Sequence, residues 1–425
     1  MRLQLTRLFE RSIKGAIAAA VAAAAFFVAT PARAQLVEVA TTHTLYHEAP
    51  TRTNMTVYTP GVDVAANPTP WLSLKGGYEA DIVSGASIAV KAGSAYQATN
   101  PGVDVVTTAS VHDLRHSPRG GVTLRKNDVE YTAQYTYSTE NDYKSHSIFV
   151  SARTEAYEHD TQFELSYARN FDLVCDRVQA VNDRPPRYRA LENSTGCFAG
   201  SDPLRTRHSL GIDSFEATWS QAWTPVFVTQ LTYTAQILDG FQSNPYRSVI
   251  LGQGLRAQEH HPNDRIRQAL ALRANYFIKP IKLAVRIGGR VYRDTWDITS
   301  GTGELEAERY LFEGFRVAAR GRFYHQTGAL FFSDDYTGGN TPLGPKGQYF
   351  TGDRELSPFS SLTLGIRATH TVTPEKEKFI GFLSGLKAGI SGDVVMFDYS
   401  DFTLGGVPIS NTRAFILGAN LTALF

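Results

Sequence analysis

The chain has 425 residues, with 42 Lys+Arg against 41 Asp+Glu, a formal net charge of +1, 20 Tyr and 24 Phe against 3 Met, and 35 Gly. This near-neutral balance, without long runs of like charge, excludes an electrostatic case for nucleic-acid binding. An aromatic-rich, Met-poor chain with many Gly residues is typical of an all-β fold, and its length fits one large barrel or several soluble domains.

The N-terminal segment has the pattern of a cleaved export signal. The run over 16–29 is apolar and follows four cations: Arg2, Arg7, Arg11 and Lys14. Ala32 and Ala34 supply the small residues that signal peptidase requires, so residues 1–34 are expected to be removed before Gln35. The loss of five cations and one anion changes the formal charge from +1 to −3. The competing interpretation is a membrane anchor, but the run is too short to cross a hydrocarbon core of about 30 Å.

Residues 35–425 show alternation with a period of two, the pattern of half-buried strands. Over 129–138, Val129, Tyr131 and Ala133 share one face, and polar side chains occupy the other. A helical membrane span needs about 18 apolar residues and a membrane strand only about 9–11, so residence in a membrane has to come from strands. A soluble β-sandwich also alternates. Long strands with aromatic ends after an export signal favour a membrane barrel.

The pattern predicts an all-β fold, a single transmembrane antiparallel β-barrel of about 16 strands, with 14 as the alternative because boundaries in the first hundred residues are weakest. The predicted strands are 36–47, 54–65, 71–81, 119–126, 129–139, 144–154, 160–174, 207–222, 226–239, 265–278, 282–297, 303–312, 315–332, 357–373, 383–399 and 411–425.

Short periplasmic turns and long extracellular loops are expected to alternate along the barrel. The turns are predicted at Thr224-Pro225, Lys279-Pro280, Glu313-Gly314 and Thr373-Pro374. The loops are predicted at 175–206, 240–264 and 333–356, and the long segment 82–118 is a candidate plug for the lumen.

Two cysteines, Cys175 and Cys197, enclose a polar segment of the first long loop. In an exported chain a disulfide is the expected outcome. A metal site is the competing interpretation, but two cysteines without a C-x-x-C or His pattern make a poor ligand set.

Charged side chains fall at inward-facing positions of neighbouring strands in the second half of the chain. These predicted lumen-lining residues are Arg273, Arg286, Arg290, Glu304, Glu306, Glu308, Arg316, Arg320, Arg322 and Arg367. Opposite charges on adjacent strands can simply stabilise a solvated inner wall. The functional alternative is that the arginine surplus narrows a pore and favours anions. The two roles are compatible.

Two polar loop segments contain residue types that can bind metal ions. Glu259, His260, His261 and Asp264 are expected to form a solvated loop, because adjacent loop residues seldom converge on one ion. Asp334 and Asp335 precede a Gly-rich turn, but the spacing of a calcium-binding EF-hand is missing. No metal site is predicted.

The last predicted strand has an unbroken apolar face, which has the character of the signal read by barrel-assembly machinery. That face consists of Phe415, Leu417, Ala419, Leu421, Ala423 and Phe425. In a closed barrel this strand pairs with the first, so that neither edge stays open.

Four strings resemble the barrel family labelled domain of unknown function 3570. They lie at 77–87, 242–247, 292–297 and 353–356 and read GYEADIVSGAS, QSNPYR, YRDTWD and DREL. The resemblance covers most of the mature chain and implies an outer-membrane barrel of unassigned activity. It also implies a redox context, with extracytosolic thioredoxin-like and flavin-transfer proteins nearby, which no residue here tests.

Together these observations predict a protein of a Gram-negative cell outer membrane, in contact with outer-membrane lipid and inserted by the barrel-assembly machinery. A porin-like channel or transport component with an Arg/Glu-lined lumen is the first hypothesis. The second is a closed or plugged docking barrel for a periplasmic redox partner. An enzyme ranks last, because the G-x-S-x-G, H-E-x-x-H, phosphate-loop and haem-attachment motifs are missing. No catalytic residue and no cofactor are predicted.

Overall fold

The computed structural model describes most of the chain after the predicted export signal. The described residues are 36–49, 55–85, 88–90, 105–107, 112–140, 143–177, 205–244, 248–251, 255–334, 336, 349–372, 383–399, 402–404, 407–408 and 412–425. The predicted signal peptide, residues 1–34, lies outside them.

Sixteen antiparallel strands form one closed barrel in which each strand pairs with its neighbours in chain order. The barrel strands are β1 Leu36–Ala49, β2 Met55–Thr69, β3 Leu72–Gly85, β4 His112–Lys126, β5 Val129–Thr139, β6 Tyr143–Ala156, β7 Thr161–Arg177, β8 Arg205–Thr224, β9 Phe227–Gly240, β10 Asp264–Ile278, β11 Leu283–Asp294, β12 Thr299–Phe312, β13 Phe315–Gln326, β14 Phe359–Val372, β15 Gly385–Asp398 and β16 Thr412–Leu424. This confirms the prediction of 16 strands over the alternative of 14.

Strand β16 closes the barrel by pairing with β1, from Glu38 opposite Leu424 to Ala49 opposite Arg413. Closure gives every wall strand two partners and removes the open edges that a membrane does not tolerate. Within the described part of the chain, no helix combines the length and apolar character of a membrane-spanning helix.

Short turns join the strands at one end of the barrel, which we call the turn end. Several of these turns place non-glycine residues at positive φ, among them Asn127, His159 and Lys282. The prediction of a brief turn at Thr373-Pro374 is wrong, because β14 ends at Val372 and β15 begins only at Gly385. Residues 373–382 of that connection lie outside the described residues.

Large apolar side chains point outward along the wall, where they are exposed instead of packed. Leu165, Ile366 and Ile390 have exposed fractions of 64%, 67% and 65%. Trp71 and Trp223 stand at the turn end with exposed fractions of 55% and 56%. An apolar belt with aromatic residues near its margin is the surface of a barrel that spans a lipid bilayer.

Buried apolar side chains gather at the opposite end, which we call the loop end. One cluster contains Trp296, Ile298, Ala329, Phe331 and Leu356. Among the described loop residues there are three two-stranded sheets, at Ile88–Val90 with Val105–Thr107, Ser248–Leu251 with Leu255–Gln258, and Thr403–Leu404 with Val407–Pro408. The loops at this end therefore carry packed structure of their own.

Both ends of the candidate plug, 82–118, belong to strands of the barrel wall. Strand β3 continues to Gly85 and β4 already begins at His112, seven residues before the predicted start at 119. Strand pairing from Ile82 with Leu114 to Gly77 with Arg119 shows that these margins belong to the sheet. The plug prediction is wrong for them, and most of the segment between lies outside the described residues.

Candidate functional site

The inner wall of the barrel carries the charged side chains, because the strand period of two directs them away from the apolar outer face. Glu306 and Glu308 on β12 lie at the centre of one network. Nη2 of Arg367 is 2.8 Å from Oε1 of Glu306 and 2.9 Å from Oε2 of Glu308. Arg286 pairs with Glu306, and Arg316 lies 3.4 Å from Glu308. Three arginines from three strands thus neutralise two carboxylates.

Arg320 on β13 and Asp393 on β15 form a pair that crosses the strand between them. Nη2 of Arg320 is 2.5 Å from Oδ2 of Asp393, whose side chain is only 1% exposed. The intervening residue in the row is Gly365 on β14. A Cβ at Gly365 would overlap Oδ1 of Asp393, so the absence of a side chain makes room for the pair.

The same arrangement occurs on the first half of the wall. Asp63 on β2 and Arg119 on β4 flank Gly77 on β3, and Nη2 of Arg119 is 2.7 Å from Oδ2 of Asp63. A Cβ at Gly77 would overlap Oδ1 of Asp63. In each row a glycine permits two charges on next-nearest strands to meet.

The remaining predicted lumen-lining residues divide into paired and unpaired groups. Glu304 lies 3.2 Å from Arg322 and 3.8 Å from Arg273. Arg290 has no carboxylate partner among the described residues, and its guanidinium stands 5.8 Å from the ring centre of Tyr292.

Sequence reasoning missed the charges on the first half of the wall and several partners on the second. Arg115 pairs with Asp81 at 2.5 Å, and Arg265 pairs with Asp294 at 2.5 Å. Asp63, Asp81 and Asp393 fall inside predicted strands at inward positions, so the phase rule applied to the second half would also have found them. Arg115 precedes the predicted start of its strand and gave no such signal.

The described inner-wall charges divide unevenly around the barrel. Strands β1 to β9 carry ten inward carboxylates against five inward cations, whereas β10 to β16 carry ten cations against five carboxylates. The ten carboxylates are Glu38, Glu48, Asp63, Glu79, Asp81, Glu130, Glu155, Glu164, Asp172 and Glu216. The ten cations are Arg265, Arg267, Arg273, Arg286, Arg290, Arg316, Arg320, Arg322, Arg367 and Lys387. The arginine surplus of the second half is therefore offset by the first.

A polar cavity of about 420 Å³ lies on the inner wall near the boundary between the two halves. Glu164 and Glu216 line it on one side, and Arg273 and Arg290 line it on the other. The lining between them consists largely of threonine and alanine, whose short side chains leave the space of the cavity open.

At the loop end, Asp294 organises the short connection between β11 and β12. One of its oxygens accepts hydrogen bonds from the backbone N–H groups of Trp296 and Ile298, both at 3.0 Å. Its other oxygen accepts from Arg265, whose guanidinium lies 3.9 Å from the Trp296 ring centre. The packed loop cluster is thereby anchored to the inner wall.

Glu259 and His261 are buried in this loop structure, with exposed fractions of 2% and 4%. The expectation of a solvated loop is wrong for both, because the ring of His261 packs against Trp296 and Phe331. Glu259 accepts a hydrogen bond from the backbone N–H of Gly352, 93 residues away in sequence.

A second buried anchor joins the loop after β13 to the first strand. Nη1 of Arg354 is 2.7 Å from Oε1 of Glu48, and both side chains are almost fully buried. Burial lowers the pKa of Arg354, but the hydrogen bond to Glu48 together with the nearby negative charges of Glu48 and Glu355 and the Tyr399 phenol leaves that pKa raised. Burial also raises the pKa of the neighbouring Tyr399 to about 12.

The other predicted residues have mixed outcomes. The apolar face of β16 points outward, with Phe415, Leu417 and Leu421 exposed by 40%, 55% and 45%; its reading by assembly machinery stays a prediction. Cys175 is fully buried near the end of β7. Cys197 lies outside the described residues, so the disulfide also stays a prediction. Asp335 and most of the Gly-rich turn after it lie outside them as well.

The family model described as "Protein of unknown function (DUF3570)" matches residues 15–382. The chain belongs to this family. No protein of curated function matches it.

The chain is also similar to several solved barrels. A "Bacterial polysaccharide outer membrane secretin" is 10% identical, with 93% of this chain and 100% of that chain covered and a TM-score of 0.47. OccD3 (OpdP) of Pseudomonas aeruginosa is 8% identical, with 92% of each chain covered and a TM-score of 0.43. OmpF of Salmonella typhi, in complex with daunomycin, is 10% identical, with 92% and 97% covered and a TM-score of 0.39. At this level of identity, the functions of those proteins are not assigned to this chain.

Proposed function

We propose that this DUF3570 barrel is a porin-like channel of the outer membrane that passes small polar solutes. The observation that carries the proposal is the contrast between the two faces of the wall. Large apolar side chains are exposed outside, whereas thirty described charged side chains face inward. A closed protein interior would not be expected to hold so many charges, because desolvated charges are costly. A water-filled lumen removes that cost.

The paired charges support a stable inner wall, and the unpaired ones support contact with solute. Ion pairs such as Arg367 with Glu306 fix the side chains of the wall. Arg290, Glu164 and Glu216 are left to face the cavity. Rings or patches of charge of this kind set which solutes a pore accepts.

Conductance measurements on the purified full chain in planar bilayers test the channel. Stepwise current increases of uniform size are expected on insertion. Protection from protease in vesicles shows that the barrel is folded and inserted. If such a barrel passes no current even at high voltage, the proposal is contradicted.

The packed loop end favours a second candidate, a barrel whose mouth is closed. The Arg354 to Glu48 pair holds the loop segment 349–358 against the wall, and the Trp296 cluster packs beside it. If this loop closes the pore, the native chain passes no current and Arg354→Gln does. Service to a periplasmic redox protein stays a prediction from the family resemblance.

A further inference from the structure

Two carboxylates on the inner wall stand without the cation partners that most of their neighbours have. Among the described residues, neither Glu164 on β7 nor Glu216 on β8 forms an ion pair or a side-chain hydrogen bond. Glu304, Glu306, Glu308 and Asp393 all lie within an ion pair. The two free carboxylates both line the cavity of about 420 Å³.

Two arginines stand on the opposite side of the same space. Arg290 lines both this cavity and the adjoining one of about 410 Å³, and Arg267 lines the second. Nε of Arg267 is buried without a hydrogen-bond partner. Among the described residues Arg290 forms no ion pair, and its guanidinium lies 5.8 Å from the ring centre of Tyr292.

Small residues separate the two charged groups. The row from Glu216 continues through Thr234 on β9 to Ala269 on β10, and the neighbouring row runs from Thr232 through Ala271 to Arg290. Three strand spacings of about 4.8 Å separate β8 from β11, or about 14 Å along the wall. The longer charged side chains reach inward from both margins. The cavity of about 420 Å³ between them has room for a small molecule.

We propose that this cleft binds a zwitterionic solute, a free amino acid or a short peptide. Its ammonium group lies against Glu164 and Glu216, and its carboxylate lies against Arg290 and Arg267. A simple anion would meet the two carboxylates, and a neutral sugar would leave all four charges unpaired. A ligand with both charges completes charge-assisted hydrogen bonds at each margin. Entry of the solute rests on the proposed channel, but binding does not.

Calorimetric titration of the detergent-solubilised full chain tests the site without requiring conduction. The probes are L-alanine, L-alanyl-L-alanine and tri-L-alanine, together with the N-acetyl and C-amide forms of whichever binds best. Blocking either terminus is expected to weaken binding by about tenfold or more, since each loses a charge-assisted contact. If none of the probes binds, or if the blocked forms bind equally well, the proposal is overturned.

Variants assign each terminus to its side of the cleft. In Glu216→Gln the loss of affinity on N-acetylation should become smaller, because only Glu164 is left to contact the ammonium group, while the loss on C-terminal amidation persists. Arg290→Gln should give the reverse. Glu38→Gln, a wall carboxylate that lines a different cavity, is the matched control and should behave as the native chain.

If N-acetylation and amidation of the probe weaken binding to Glu216→Gln and Arg290→Gln as much as to the native chain, the placement of the two termini in the cleft is also overturned. Binding of the probe without conductance would contradict the proposed channel and support the proposed binding site. Conductance without peptide discrimination would remove the site and keep the channel. Protease protection in vesicles establishes that each variant is folded.

Discussion

Arg320 and Asp393 meet across a strand that separates them, since Gly365 between them has no side chain to keep them apart. The two residues lie on β13 and β15, which are not neighbours in the sheet, so the pair links three strands at one level of the wall. This geometry makes a single methyl group an informative probe.

Gly365→Ala is expected to destabilise the barrel by about 1–3 kcal/mol, because it displaces Asp393 from Arg320 and leaves a buried carboxylate unpaired. The free energy of unfolding in urea, measured by tryptophan fluorescence in lipid vesicles, is the readout. Gly303→Ala is the control, since nothing lies within 4 Å of a Cβ at that position. Equal stability of the two variants would show that the glycine is dispensable.

Gly77→Ala should cost less than Gly365→Ala. Asp63, which the new methyl group would displace, is 44% exposed at its side chain, against 1% for Asp393. A displaced Asp63 can therefore be solvated. Gly76→Ala, at the adjacent position with open space around its Cβ, is the control in the same urea titration. If Gly77→Ala lowers the free energy of unfolding more than Gly365→Ala does, the exposure of the displaced carboxylate does not determine the cost.

Ion selectivity of the proposed channel should be weak in the native chain, because the two halves of the described wall carry opposite excesses of five charges each. Replacing Glu164 and Glu216 by Gln should shift the reversal potential in a KCl gradient toward anion selectivity. Replacing Arg290 and Arg322 by Gln should shift it toward cations. Shifts in the same direction for both pairs would be incompatible with this division.

Arg354→Gln should release the loop segment 349–358 from the wall, because Glu48 is then buried without its cation. Breaking a buried pair by removing one partner costs about 3–5 kcal/mol. Limited proteolysis should cut this loop faster than in the native chain. The double variant Glu48→Gln with Arg354→Gln should recover part of the protection, and Arg413→Gln, an exposed arginine, should leave it unchanged.

Alkaline pH should loosen the loop end through Tyr399. Burial raises its pKa from 10.0 to about 12, so the folded state holds the neutral phenol. The stabilisation is complete below pH 10, where the unfolded chain is also neutral, and is lost as pH rises to about 12. Two pKa units correspond to on the order of 2–3 kcal/mol. Urea unfolding of Tyr399→Phe should depend less steeply on pH over this range; an identical dependence would exclude Tyr399 as the source.

The strand pattern was readable from the sequence because lipid on one side and water on the other impose an alternation on each wall residue. The late predicted start of β4 has a local cause. His112, Asp113, Arg115 and Pro118 look like loop residues, yet they are strand, and Pro118 pairs with Tyr78 on β3. Arg115 lies on the inward face and Pro118 on the outward face, so the apolar alternation that marks a strand is interrupted at this end of β4.

The buried loop end was not readable in this way. His261 packs against Phe331, and Glu259 accepts a hydrogen bond from Gly352, contacts that join segments 70 to 93 residues apart. No periodic pattern encodes such contacts. The charge division of the wall was within reach, but it requires the phase of all sixteen strands together.

If the barrel is the channel proposed above, the opposed charges of the inner wall also have a consequence for molecules that pass through it. Carboxylates on one side and guanidinium groups on the other create an electric field across the lumen, perpendicular to the direction of passage. A solute with a dipole would rotate to align with that field before it moved along the axis, and cations and anions would follow separate paths on opposite walls. A uniformly lined pore of the same width would sort molecules by size and net charge. This one would also sort them by how their charge is arranged.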